Sequence, residues 1–259
     1  AGKIATLRPD FISITYGAGG GTPKNTVEIA SMVQEEFHVT SIAHLTCFSS
    51  TPDEVDGLIE NIKAHHIENI LALRGDPPKD NAQPLPGYYQ HACQLIEQIR
   101  RHGDFCIGGA CYPEGHVECA NRELDLDYLK MKVDAGCSFL TTQMFFDNNI
   151  LYRFLYRALA KGIDVPIFAG IMPVINAKQI KRSVQLSGTE LPNRFIGIID
   201  KFGGDPQAMK QAGIAYATEQ IIDLIANGVK GIHLYTMNRP EVAAAIFHNL
   251  SHILGRDDV

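Results

Sequence analysis

Short apolar, β-branched runs recur along this chain, most of them about 30 residues apart, and this alternation with amphipathic segments most restricts the fold. The runs lie at residues 11–16, 41–46, 69–73, 105–111, 139–145, 166–171 and 231–235. They are apolar at nearly every position, as strands buried on both faces require. Between them, Val55, Leu58, Ile59 and Ile62 follow helical periodicity behind Thr51 as N-cap, Pro52 in the first turn and Glu54 closing a capping box. Ile214, Ala217, Ile221, Leu224 and Ile225 repeat the pattern and Gly228 stops it. Arg239-Pro240-Glu241 opens a last helix with Val242, Ile246, Leu250 and Ile253 on its apolar face. The longer interval before the last run holds extra helical turns at 193–202, closed by Gly203-Gly204.

Seven such units fit either an open doubly wound sheet or a β/α barrel. An open sheet binds its ligand at one switch point, after one or two strands, whereas a barrel places polar groups at nearly every strand exit. Here every run exits into such groups: Thr15-Tyr16, His44 with Thr46, Arg74 with Asp76, Tyr112 with Glu114 and His116, Gln143 with Asp147, Asn176, and Asn238-Arg239. The expectation is a (β/α)8 TIM-type barrel occupying residues 1–259 as one catalytic domain. Since only seven strands are visible, the first βα unit is expected to lie upstream of Ala1.

Composition narrows the function. A net charge of −6 and a pI near 5.9 argue against nucleic acid or an anionic membrane surface as partner, and no apolar run is long enough for a membrane helix. The six cysteines show no C-x-x-C and no zinc-like spacing, so reduced thiols in a cytoplasmic protein are expected, and no metal.

The strand exits carry the chemistry. Tyr16 and Ala18 begin a glycine-rich βα loop, but neither standard nucleotide fingerprint is present. Arg74-Gly75-Asp76 sends a cation and a carboxylate out of one buried strand; Asp76 can face a planar heterocycle, or the two can simply pair with each other. Tyr112 offers a stacking face, and His116, like His44, is either a ligand contact or a structural histidine. Gln143 sets an amide that both donates and accepts among aromatics, which suits a pterin or another amide-bearing ring. Lys130 and Lys132 read by default as a solvated helix face, and Arg239 either holds an anionic group or serves structure.

Together these stretches resemble the methylenetetrahydrofolate reductase family in its short bacterial form. The likeness is carried, in order, by residues 11–18 (FISITYGA), 43–47 (AHLTC), 72–76 (ALRGD), 112–114 (YPE), 132–136 (KVDAG), 142–143 (TQ), 170–173 (GIMP) and 235–239 (YTMNR). It implies a TIM barrel with FAD at the strand exits, contacted by Tyr16, Ala18, His44, Arg74, Gly75, Asp76, Tyr112, His116, Asp125 and Lys132. It implies folate contacts from Asp76, Gln143, Gln179 and Arg239, with Thr15 and Gln143 meeting the nicotinamide donor. The implied reaction is ping-pong reduction of 5,10-methylenetetrahydrofolate to 5-methyltetrahydrofolate by NADH or NADPH through FAD. Asp76 would act electrostatically, and the family's acid, a glutamate in a first-strand Phe-Glu-Phe-Phe-Pro-Pro-like motif, would precede Ala1. Tyr128, Met131 and Met144 depart from common family residues. A homo-oligomer in one-carbon metabolism and methionine biosynthesis is expected. A non-catalytic folate- or flavin-binding barrel, and a barrel flavoenzyme acting on another substrate, stay open.

Overall fold

A computed structural model describes residues 1–15, 23–76 and 89–255, and within them all side chains except those at 23, 24, 179, 181, 182, 185 and 186. Seven strands follow one another in sequence order in one sheet: β1 (Phe11–Ile14), β2 (Thr40–Thr46), β3 (Asn69–Leu73), β4 (Cys106–Cys111), β5 (Phe139–Thr142), β6 (Ile167–Ile171) and β7 (Ile232–Leu234). The strands are parallel and helices fill the intervals, which is the α/β TIM-barrel class that the spacing predicts. By internal contacts the chain forms two compact units, Ala1–Ala110 with Tyr128–Leu140, and Cys111–Asp127 with Thr141–Val259.

The first unit holds α1 (Gly2–Ala5), α2 (Pro23–Phe37), α3 (Pro52–Ala64), α4 (Ala92–Arg101) and the later part of α5 (Arg122–Asp134). The register pairs Ile14 with Ala43, Thr46 with Leu73 and Ala72 with Gly109. This sets the exits of β2 and β3 level with each other. Helix α3 starts as its sequence dictates: Thr51 Oγ1 accepts from the Glu54 N–H at 3.2 Å, and the Glu54 carboxylate accepts from the Thr51 N–H at 2.8 Å. The core runs through Ile59, Ile62, Ile70, Leu95, Ile96, Ile99 and Ile107, all buried. Each such side chain stabilises the fold by about 1.5–3 kcal/mol relative to exposure.

The second unit holds α6 (Asn148–Ala160), α7 (Ala177–Ser187), α8 (Asn193–Phe202), α9 (Pro206–Ala226) and α10 (Pro240–Leu250). The extra helical turns fall where expected, at α8. Phe195 of α8 stacks on Phe146 at 5.0 Å, and Tyr216 of α9 donates to the Phe146 carbonyl at 2.5 Å. With Met144, Met172, Val174, Ile180 and Met209 they form a core beneath the exits of β5 and β6. The apolar run at 139–145 is therefore only half strand: it leaves the sheet after Thr142, and Met144 and Phe145 stay buried as a packed loop. Ile253 does not join the face of α10, since it lies past the helix end and is 47% exposed. Among the described residues no helix is long and apolar enough to cross a membrane.

Candidate active site at the strand exits

In the first unit, β2 and β3 are tied together just past their ends. The N–H groups of Cys47 and Phe48 both donate to the Arg74 carbonyl, at 3.2 and 2.8 Å. The Arg74 guanidinium lies 5.7 Å over the Phe48 ring, and its Nε donates to the Gly75 carbonyl at 3.3 Å. Gly75 adopts φ +87, and a Cβ there would come within 3.2 Å of Thr46 Cβ. This position thus presents bare backbone at the strand exit. Asp76 follows it, exposed, so its carboxylate stands outside the core.

His44 is buried in β2 opposite Leu71, and the Thr15 carbonyl accepts from Thr26 Oγ1 at 3.2 Å. Lys130 reads as expected, ion-paired with Asp134 one turn along the helix. Lys132 departs from the solvated-face expectation, because its Nζ donates to the Ala110 carbonyl at 2.7 Å, at the end of β4. The cation is thereby carried to a strand exit. Tyr16 and Ala18 lie outside the described residues, as does the Gln179 side chain.

In the second unit, the loop after β4 carries Tyr112 and His116 with rings edge-to-face at 4.6 Å. His116 Nδ1 accepts from the Glu118 N–H at 3.1 Å, which puts the neutral ring's proton on Nε2, a donor. Asn121 caps α5 by accepting from the N–H groups of Glu123 and Leu124, and Asp125 stands in that first turn. A carboxylate there suits a hydroxyl better than a phosphate. Glu114 accepts from the Glu190 N–H at 2.9 Å through Oε2, while its carbonyl accepts from Arg122 Nε at 3.0 Å. Burial raises its carboxyl above the usual range.

Gln143 leaves β5 half-buried, its N–H donating to the Cys111 carbonyl at 2.8 Å and its Oε1 accepting from the Met144 N–H at 2.9 Å. Beyond β7, Met237 and Asn238 sit at φ 48 and 57, and such backbone is sparsely populated by residues other than glycine. This turn delivers Arg239 to the start of α10, 60% exposed and 3.8 Å from Glu241. A cavity of about 150 Å³ opens beside it, lined by Met172, Val174, Ile180, Tyr235 and Val242 among others. Its lining mixes polar and apolar surface, and Arg239 at the rim suits a ligand that carries an anionic end.

Among the described residues no group of three or more His, Cys, Asp or Glu could hold a metal ion. None of the six cysteines is in a disulfide, and Cys47, Cys111 and Cys137 are buried, with burial pushing the Cys47 thiol up to about 12. Sequence reasoning passed over Thr142, Gly170 and Tyr235 as individual residues, although each stands inside a resemblance stretch. Their spacing in the chain carries no signal that they meet.

A sequence model of the family "Methylenetetrahydrofolate reductase" matches residues 1–251. The 5,10-methylenetetrahydrofolate reductases of Pectobacterium carotovorum and Escherichia coli are each 36% identical over 248 residues, spanning 96% of this chain and 82% of those proteins. The maize protein named methylenetetrahydrofolate reductase (NADH) 1 is 38% identical over 264 residues, and the match spans 44% of its length. Among solved structures, a Clostridium thermocellum protein described as binding two copies of 5-methyl-5,6,7,8-tetrahydrofolic acid superposes with a TM-score of 0.60. The superposition covers 97% of this chain and 86% of that one at 16% identity, so it speaks for the fold.

Proposed function

The chain belongs to the methylenetetrahydrofolate reductase family, and we propose that it reduces 5,10-methylenetetrahydrofolate to 5-methyltetrahydrofolate with FAD and NADH or NADPH. Residues 1–259 act as one catalytic domain in this reading, supported by the single strand order β1 to β7. The observation that carries it is the family match over residues 1–251, and the positions of His44, Arg74, Tyr112, Gln143 and Arg239 at or near strand ends support it.

The residues present fit a flavin. Gly75 offers bare backbone, Lys132 a cation at a strand end, His116 a ring N–H and Asp125 a carboxylate for a hydroxyl. In this reading the FAD contacts are those that the resemblance implies: His44, Arg74, Gly75, Asp76, Tyr112, His116, Asp125 and Lys132. Tyr16 and Ala18 join them from the glycine-rich loop. When bound, FAD supplies the two-electron carrier that accepts hydride from the nicotinamide and passes it on, in a ping-pong sequence.

Asp76 supplies a negative charge beside the ring system and an acceptor for pterin N–H groups. The Gln143 amide gives Nε2 as donor, while Oε1 keeps a second lone pair beyond its bond to Met144. Arg239, with Gln179, meets the folate's anionic end, and the cavity beside Arg239 supports that role. Thr15 and Gln143 meet the nicotinamide. The thiols agree with a cytoplasmic location, and a homo-oligomer serving one-carbon metabolism and methionine biosynthesis completes the reading.

The test is reconstitution with FAD followed by titration with 5-methyltetrahydrofolate. Saturable perturbation of the flavin absorption is expected. Retained flavin with no response to folate would point to a flavoenzyme acting on another substrate.

A further inference from the structure

The peptide unit that joins Thr142 to Gln143 is held at both of its polar ends. Its N–H donates to the Cys111 carbonyl at the end of β4, at 2.8 Å. Its carbonyl accepts from the Tyr235 phenol, also at 2.8 Å, although Tyr235 lies 93 residues further along the chain. A third bond closes the arrangement, as Thr142 Oγ1 accepts from the Gly170 N–H at 2.8 Å.

Gly170 is what lets the phenol reach. A Cβ at that position would lie 2.3 Å from the Thr142 carbonyl oxygen and 2.8 Å from Tyr235 Cε2, both closer than atoms tolerate. The Tyr235 ring therefore passes across β6 over a position that admits no side chain, and ends on β5. The ring is itself located: the Tyr235 N–H donates to the Ile171 carbonyl at 2.8 Å, and the His233 ring stands perpendicular to it at 4.9 Å. Burial pushes the phenol well above its ordinary range, so it stays protonated and keeps donating. Past the pinned peptide, the Gln143 side chain is fastened to the same stretch of backbone, with Oε1 accepting from Met144 N–H. Tilting that peptide would move the carboxamide with it.

We propose that Tyr235 is a positioning residue for Gln143: its hydroxyl fixes the Thr142–Gln143 peptide, and Gly170 provides the clearance, so that the carboxamide meets the folate ring in one orientation. This rests on the reading of Gln143 as a folate contact. The Tyr235 hydroxyl is spent on the Thr142 carbonyl, so in this account it acts on folate through Gln143 alone, whatever the ring edge contributes to the neighbouring cavity.

Tyr235→Phe keeps the ring and its packing and deletes only the hydroxyl. One lost hydrogen bond of ordinary strength corresponds to about five- to tenfold in an equilibrium. Three measurements on the FAD-reconstituted protein decide the matter. Tyr235→Phe should bind 5-methyltetrahydrofolate about five- to tenfold more weakly than the parent, with unchanged flavin content. In a Gln143→Ala background the same change should cost nothing further. The Gln143 amide, followed by hydrogen exchange without folate, should exchange about five- to tenfold faster in Tyr235→Phe. An additive loss in the double variant, or wild-type affinity in Tyr235→Phe, would overturn the proposal. If the parent protein bound no folate, the functional reading would fall on its own, and amide exchange would judge the brace. Unchanged exchange at Gln143 would then overturn it, and faster exchange would support it.

Discussion

Glu114 Oε2 accepts the backbone N–H of Glu190 at 2.9 Å, so the carboxylate behind Tyr112-Pro113 straps the loop after β4 to the segment after α7. Its other oxygen, Oε1, is buried without a hydrogen-bond partner among the described residues. Burial is the main cause of its raised carboxyl, the bond from Glu190 opposes it, and the charge of Glu190 adds to it. A carboxyl raised on folding favours the folded state at low pH and loses that contribution as pH rises through the folded value. Glu114→Gln keeps an acceptor oxygen and removes the buried charge. It should therefore match the parent's melting temperature near pH 4 and exceed it slightly at pH 8 (both approximate). Folate reduction should fall less than about tenfold, since a lost general acid costs about 10²–10⁴-fold. A loss in that larger range would make Glu114 the proton donor to the departing amine nitrogen. Asp147, the other carboxylate at a nearby strand exit, is occupied as the N-cap of α6, accepting from Asn149 N–H at 3.0 Å.

Arg100 bridges α4 to the turn before β5. Its Nε and Nη2 both donate to the Gly136 carbonyl, Nη2 also reaches Ser138 Oγ at 3.0 Å, and Nη1 reaches the Phe105 carbonyl at 2.8 Å. Gly136 stands at φ +113, and a Cβ there would meet Arg100 Nε at 2.7 Å, so the glycine of the KVDAG stretch serves this contact. Arg100→Ala strips donors from two carbonyls. Unfolding by urea should show a loss of about 2–3 kcal/mol with the slope m unchanged. A loss below about 0.5 kcal/mol would mean that water replaces the guanidinium at no cost.

His102 sits between two carboxylates of α3, with Nδ1 at 2.8 Å from Glu60 and Nε2 at 2.6 Å from Asp56. The Glu60 bond, then that of Asp56, raises the imidazole above its ordinary range. Asp56 is held below the usual carboxylate range, chiefly by Gln98 and then by His102. The histidine's contribution is full below its unfolded value and fades as pH climbs through the raised one; that of Asp56 fades as pH falls through its lowered value. The clamp should therefore matter most from roughly pH 4 to 6.5. His102→Gln should lower the melting temperature more at pH 6 than at pH 9, by only a few degrees, because the carboxylates are solvated. An equal loss at both values would leave the contact without an ionic part.

Much of this architecture is legible from the chain alone. The bounds of β3 follow from the apolar run at 69–73, and α3 from its capping box, because both obey local rules. The fate of the 139–145 run is not local. Whether Met144 continues a strand or folds into a core depends on Phe195 and Tyr216, more than 50 residues away. The strand-exit residues could be selected by type, since Arg74, Asp76, Gln143 and Arg239 all follow apolar runs. The second layer was invisible for a physical reason: Tyr235, Gly170 and Thr142 meet only because parallel register aligns three strands, and Arg100 works through backbone carbonyls that any sequence possesses.

Asp76 stands exposed at the exit of β3, directly after the bare backbone of Gly75. A carboxylate beside the flavin's N1 edge disfavours the anionic reduced ring. Asp76→Asn should therefore raise the flavin reduction potential, measured against a reference dye, and slow folate reduction while NADH still reduces the flavin. An unchanged potential with unchanged turnover would return Asp76 to a purely structural role.

The central claim is best tested by the second half-reaction alone. The FAD-reconstituted protein is reduced with NADH or NADPH under nitrogen, freed of excess nucleotide, and mixed with 5,10-methylenetetrahydrofolate while the flavin absorption is followed. The account predicts full return of the oxidised spectrum, with one 5-methyltetrahydrofolate formed for each flavin re-oxidised. A reduced flavin that methylenetetrahydrofolate leaves bleached, and that another acceptor re-oxidises, would contradict it.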